Sequence, residues 1–253
     1  MLNILLRYPK KIMKIFCYFK RTKVAILFLF FLSASLQTQT VSRKENLKPI
    51  LEKIRENSRN SIYTYKGIDY KRDLTITETD PQTGKEISVS KVSTRRVEYY
   101  YERPVVVVLS YVKNGVNLPP KDFEPEKSSP TYPIFDNQSD DHYLFNIDGP
   151  IVFQNRPCYV VEISPLQLSP RHFKGKIYYE KNSLHPFYIE GSTSKWKFGV
   201  KDMYFKIFMS VTKENVAIVK SGDIFVKTYI PFLSPEKDTR IHIETIDAVP
   251  IRK

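Results

Sequence analysis

Four histidines, His142, His172, His185 and His242, are the residues best suited to proton or metal chemistry. None is spaced as a metal pair of the HExxH kind, and each stands among charged, polar or apolar neighbours that define no site. Asp140 and Asp141 precede His142 and could attract a cation, but a solvated loop accounts for them equally well. Cys158, between Pro157 and Tyr159, is expected to be an inert, half-buried thiol. A nucleophile needs a lowered pKa and a partner base, and no such base can be named. Glu162, Glu180 and Glu190 could suggest a glycosidase pair, yet all three fall on or beside strands, where a carboxylate on the wet face is the ordinary arrangement. There is no Gly-x-Ser-x-Gly, no P-loop and no dinucleotide loop, and eight glycines are few for a backbone that cradles phosphate. The expectation is a protein that is not an enzyme, with no catalytic residue, no cofactor and no metal site.

Aromatic residues carry the stronger signal, with 17 tyrosines and 16 phenylalanines. Tyr99, Tyr100 and Tyr101 in succession place rings on both faces of one strand. Such rings either pack within the core or form the rim of an apolar cavity, since a phenol has an apolar body and a polar tip.

The elements that position these groups follow from hydrophobic periodicity. Between Ser42 and Ser61, Leu47, Ile50, Leu51 and Ile54 fall at i, i+3, i+4 and i+7, one stripe of an α-helix. Two starts compete: Ser42 with Glu45 as a capping box, or Asn46 as N-cap. The second is preferred because it puts Pro49 in the first turn, where its missing N–H is not needed. From about residue 64 the chain is strand after strand. Segments 64 to 79 and 86 to 102 form a long hairpin about the turn-forming stretch Asp80 to Lys85. Val105 to Val112 is a continuous apolar run, predicted to be buried on both faces. Strands follow at Tyr159 to Ile163, Phe173 to Tyr179, Phe187 to Thr193, Met203 to Val211, Ile224 to Ile230 and Arg240 to Asp247. In the strand from Met203, one face is Met203, Phe205, Ile207, Met209 and Val211, wholly apolar and therefore directed inward. Ten or so antiparallel strands behind one amphipathic helix imply a mainly β fold, a strongly curved sheet wrapped around that helix or a barrel. The helix stripe and the inward face of the Met203 strand are the candidate lining of an apolar cavity. Lys113 to His142, with five prolines, is too long for an ordinary connection and is read as a lid or rim with a short helix near Asp122.

Residues 1 to 23 carry seven bases and no acid, and run into the apolar stretch Val24 to Leu32. This is the pattern of an export signal, with cleavage expected after Ser35. Nine apolar residues make about 14 Å of helix, whereas a span takes roughly 20 residues. Residues 36–253 are expected to form a single domain. Without the first 35 residues, 33 bases face 27 acids, a formal +6, and the bases are interleaved with acids. Nucleic acid is therefore not an expected partner. Only Cys158 remains, so no internal disulfide is possible and the core must hold the fold.

The leading helix, the opening Tyr65-Lys66-Gly67 and the long hairpin to Glu102 resemble the periplasmic lipoprotein carriers and sensors with the LolA, LolB and RseB fold. Gln154 to Ile163 and Phe173 to Tyr179, which leads through Glu180 to Ser183 into Pro186 to Gly191, are similar to the mid-sheet strands of outer-membrane lipoprotein-sorting proteins. The resemblance implies an unclosed barrel of about eleven strands that receives acyl chains. It also implies a place in the periplasm of a diderm bacterium, with lipid acyl chains, a lipidated protein or another envelope protein as partner. In the carriers a strand arginine regulates a helical lid; Arg72, Arg95 and Arg96 are available here, with no motif to single one out. The function expected is non-catalytic lipid or lipoprotein binding in transport or sensing. The alternative is a structural or interaction module of the envelope with a filled core.

Overall fold

The computed structural model describes residues 47–100, 102–125, 134–136, 138–196, 198–231 and 234–253. The expected signal (1–35), the lead from Ser42 to Glu45, the Asn46 cap and Tyr101 lie outside them. From Pro49 to Lys253 the chain forms one compact unit, and all that follows concerns it apart from Leu47 and Lys48.

Helix α1 (Lys48–Thr64) has Pro49 in its first turn, where the lost donor is harmless. Its 17 residues make about 4.7 turns, longer than the three to four turns that the stripe alone predicts. Near its end the Thr64 hydroxyl donates back to the Asn60 carbonyl at 2.8 Å. Ile54 is fully buried, Leu51 is buried and Ile50 half-buried.

Eleven antiparallel strands follow: β1 (Tyr65–Thr79), β2 (Glu86–Tyr99), β3 (Val105–Lys113), β4 (Val116–Leu118), β5 (Tyr143–Phe153), β6 (Arg156–Pro165), β7 (Phe173–Glu180), β8 (Pro186–Thr193), β9 (Val200–Val211), β10 (Ala217–Ile230) and β11 (Ser234–Arg252). They form one sheet in the order β4-β3-β2-β1-β11-β10-β9-β8-β7-β6-β5. Every neighbour is joined by sequence except β1 and β11, whose pairing runs from Tyr65↔Arg252 to Thr79↔Asp238. The edges, β4 and β5, do not pair with each other, so the barrel is unclosed. The mainly β architecture with a leading helix is thus the one expected from the periodicity.

Register identifies the concave face, because residues paired across strands share a face. Ile207 of β9 pairs with Ile189 of β8, and Ile189 with Ile177 of β7, which pairs with Val161 of β6. Gly175 and Gly191 face each other in the same layer, and a Cβ on either would lie 2.7 Å from the Phe173 ring. Phe173 covers the space that these glycines leave and stacks on Phe205 at 5.8 Å. A second device holds α1 in place: the Arg55 guanidinium lies 4.4 Å over the Phe145 ring and pairs with Asp140. Asp140 belongs to a single helical turn, α2 (Ser139–His142), which leads directly into β5.

Several expectations are corrected. β3 is not buried on both faces: Val105 and Val107 are each 55% exposed, because β3 lies one short strand from the sheet edge and its outer face is bare. β6 is instead the doubly covered strand, with Cys158, Tyr159, Val160 and Val161 all buried. Phe153 stacks on Tyr178 at 4.2 Å and approaches Tyr188 at 5.1 Å, so the convex face has its own aromatic layer over Cys158 and Val160. Cys158 is therefore fully rather than half buried, and burial pushes its thiol pKa up. The segment 113 to 142 is not wholly irregular: Asn114 and Gly115, both at positive φ, turn β3 into β4. That is the two-residue turn favoured by Asn-Gly. The short helix expected near Asp122 is a 3-10 turn, Pro120–Asp122.

Ile54 has no solvent exposure, and truncating it leaves a cavity under α1. Ile54→Ala is expected to cost about 2–5 kcal/mol in urea unfolding, and Ile54→Val about 0.5–1.5 kcal/mol.

Candidate functional site

Between α1 and the concave face lies a cavity of about 810 Å³. Its helical wall is the polar side of α1, with Asn57, Ser58, Asn60, Ser61 and Thr64. The opposite wall is apolar, from Ile177 and Tyr179 of β7, Ile189 of β8, Met209 of β9 and Ala217 of β10. The end of β2 supplies Arg96, Glu98 and Tyr99, followed by Tyr100, and the rim includes Ile134, Phe135, Leu184 and His185. Phe135 is anchored by stacking on Phe145 at 5.3 Å and by an edge contact with Tyr179 at 6.3 Å. Burial raises the phenol pKa of both Tyr179 and Tyr100; for Tyr100 the Ser61 hydroxyl pulls the other way. These rings therefore stay neutral and act as apolar walls with a hydroxyl tip.

Of the nine residues expected to line a cavity, Met209 does so. Leu47, Leu51, Ile54 and Ile207 are buried, Ile50, Met203 and Phe205 are half-buried, and Val211 is 37% exposed. The stripe of α1 is spent in packing, and it is the neighbouring polar side of the helix that faces the open space. No apolar periodicity marks that side. Tyr99 and Tyr100, singled out in the sequence, do stand at the cavity wall.

On the β1–β2 part of the concave face two arginines share one carboxylate. Arg72 and Arg96 both approach Glu98 Oε1, at 3.8 and 3.4 Å, while their side chains are only 12% and 17% exposed. Tyr70 is buried beside them, its ring 4.7 Å below the Arg72 guanidinium.

Two of the four histidines, distant in sequence, meet. His142 Nδ1 and His172 Nε2 lie 3.4 Å apart, and His172 Nδ1 is 2.8 Å from Ser169 Oγ. His242 Nδ1 lies 3.0 Å from Asp223 Oδ1, which also accepts from Arg240 Nε at 2.9 Å. Burial pushes the Asp223 carboxyl up, but these two partners outweigh it and hold it below its ordinary value. This cluster does not border the cavity. Glu162 and Glu190 are separated by Lys176, which pairs with both across the sheet, and Glu190 accepts from the hydroxyls of Tyr178 (2.8 Å) and Tyr188 (3.5 Å). Glu180 bonds Ser183 in the turn to β8. Among the described residues no three His, Cys, Asp or Glu side chains are grouped to hold a metal ion.

No family model matches the chain, and no curated protein matches it in sequence. Solved structures do. A LolA superfamily protein from Nitrosomonas europaea is similar at 11% identity over 80% of this chain and 93% of its own, with a TM-score of 0.41. A DUF1329 family protein from Desulfovibrio piger is similar at 12% identity over 79% and 92%, with a TM-score of 0.44. An outer membrane lipoprotein-sorting protein domain from Vibrio parahaemolyticus is similar at 11% identity over 78% and 88%, with a TM-score of 0.41.

His172 is 5% exposed, and burial first, then His142 and Arg171, holds its pKa below the ordinary histidine value. As pH falls, the unfolded chain takes up this proton first, near pH 6.5. The stability that the neutral ring contributes is therefore complete above that pH and is lost as pH falls through the folded pKa. The urea midpoint is expected to drop between pH 7.5 and 5, and to drop less steeply in His172→Gln.

Proposed function

We propose that the protein is a non-catalytic envelope protein that holds lipid acyl chains, or the acyl chains of a lipidated protein, in the cavity between α1 and the sheet. The observation that carries this reading is the cavity itself: about 810 Å³, within the range of ligand pockets and unfilled by the side chains of the described residues. Its apolar wall of Ile177, Tyr179, Ile189, Met209 and Ala217 suits methylene groups, and the polar side of α1 with Tyr99 and Tyr100 suits a head group. Each CH₂ moved from water into such a space is worth about 0.8 kcal/mol, so tight, reversible binding requires no covalent step. The basic and then apolar N-terminal segment supports export, and with it the periplasm of a diderm bacterium as the place of work. Transport and sensing both follow from reversible burial of this kind. The inward stripe of α1 and the Met203 to Val211 face serve in this reading as the frame behind the lining.

A second reading, an interaction module of the envelope, is favoured by the bare outer face of β3. Val105, Val107 and Leu109 are 48–55% exposed there, next to the sheet edge.

Native mass spectrometry after gentle purification is expected to show bound acyl species. Met209→Trp, which places an indole in the cavity, is expected to weaken binding of a fluorescent fatty acid at least about tenfold, the loss of roughly two methylenes' worth of burial. An unchanged affinity in this variant, with the β signal intact by circular dichroism, refutes the cavity as the binding site.

A further inference from the structure

Three arginines lie on the first hairpin, and their environments differ. Arg95 is on the outer face, 64% exposed, and its Nε and one Nη donate to the two oxygens of Asp69 at 3.0 and 2.8 Å. This is a satisfied surface pair. Arg72 and Arg96 are on the concave face, since Arg72 pairs with Thr94 and Arg96 with Tyr70 across β1 and β2. Their side chains are 12% and 17% exposed, and the Nε of each is buried without a hydrogen-bond partner. The charge they meet is one Glu98 carboxylate, itself 42% exposed, which both approach through the same oxygen at 3.8 and 3.4 Å. Two guanidiniums thus share one carboxylate, leaving a net positive charge and two buried Nε donors without an acceptor. A buried charge with unmet donors is costly unless a partner is supplied. Arg96 and Glu98 line the cavity. The Tyr70 ring, buried below Arg72, fixes the guanidinium from one side and leaves its fork available. The other carboxylates bordering the cavity, Glu102 and Glu214, are exposed to solvent.

We propose that Arg72 and Arg96 form an oxyanion-binding site on the β1–β2 wall, which takes the carboxylate or phosphate head of an amphiphile whose acyl chain lies in the cavity. The planar, fixed fork of arginine donors matches both oxyanions. Glu98 occupies part of the site in the empty protein and competes with the ligand for the same donors. The inference rests on the cavity being an acyl site and adds the chemistry of the head group.

The test compares ligands of equal chain length by isothermal titration calorimetry: palmitate, palmitoyl lysophosphatidic acid, the neutral 1-hexadecanol, and inorganic phosphate alone. At least one oxyanion-headed amphiphile is expected to bind about ten- to a hundredfold more tightly than hexadecanol. Which of the two binds better identifies a carboxylate or a phosphate head. In the double variant Arg72→Gln, Arg96→Gln the affinity ratio is expected to fall towards one, and in Glu98→Gln, which removes the competing carboxylate, to rise. Should the double variant lose its fold by circular dichroism, the Glu98→Gln ratio decides, and no increase overturns the proposal. Equal affinities for palmitate, lysophosphatidic acid and hexadecanol overturn the oxyanion site and leave the acyl cavity standing. No binding of any amphiphile overturns both. Inorganic phosphate binding as tightly as the amphiphiles overturns the amphiphile as the ligand.

Discussion

The pairing of β1 with β11 is the constraint on which the other features depend. Every other neighbour in the sheet is joined by a turn or short connection, so its pairing is local and cheap in chain entropy. β1 and β11 meet from opposite ends of the described chain, along a ladder from Tyr65↔Arg252 to Thr79↔Asp238. Without that seam there are two separate meanders, β1 to β4 and β5 to β11. The cavity takes Arg96, Glu98 and Tyr99 from the first and Ile177, Tyr179, Ile189 and Met209 from the second, so neither meander contains it alone. Folding therefore has to close a long loop before the interior exists, a topology associated with slow rather than fast folding.

Once the seam is made, the sheet sorts its side chains by place along the curve. The β6–β9 part is apolar on the concave side, and α1 packs over the sheet through Arg55, whose charge is balanced by Asp140 and whose plane rests on Phe145. The β1–β2 part carries Tyr70, Arg72, Thr94, Arg96 and Glu98 on the same side. The concave face is thus apolar at one end and charged at the other. On the convex side, Phe153, Tyr178 and Tyr188 form a second, smaller core, with Glu190 accepting from both tyrosine hydroxyls and burial raising the Tyr188 pKa to about 12. These phenols are structural, and their acidity has no part in function at neutral pH.

The histidines show how tertiary placement changes what a residue can mean. His142 and His172 are 30 positions apart in sequence, one on the turn before β5 and the other before β7, yet their rings meet because those two strands flank β6. No spacing rule could have paired them. The contact lies beside buried Tyr143, whose hydroxyl accepts from the Phe173 N–H at 3.3 Å. It belongs to the packing that ties α2 and β5 to the rest of the sheet.

By itself the sequence determined the class of the fold. Period-two alternation from Tyr65 onward, the stripe Leu47, Ile50, Leu51, Ile54 and the turn chemistry at Asp80 to Lys85 are local signals, and they placed the helix, the first hairpin and most strands, though not β5 (Tyr143–Phe153) or the full length of β10 and β11. Where it went astray, the deciding term was not local. Val105 to Leu109 and Val160 to Val161 are both apolar runs; only strand order makes the first an exposed face near an edge and the second a doubly covered centre. The Asn114-Gly115 turn was legible, but five prolines nearby masked it. Of the cavity, Met209, Tyr99 and Tyr100 were legible and the rest was not. Its walls are Asn, Ser, Tyr and Arg as much as Ile and Met, and hydrophobic patterning records which residues leave water, whereas only the tertiary structure decides which of those that remain face a shared space.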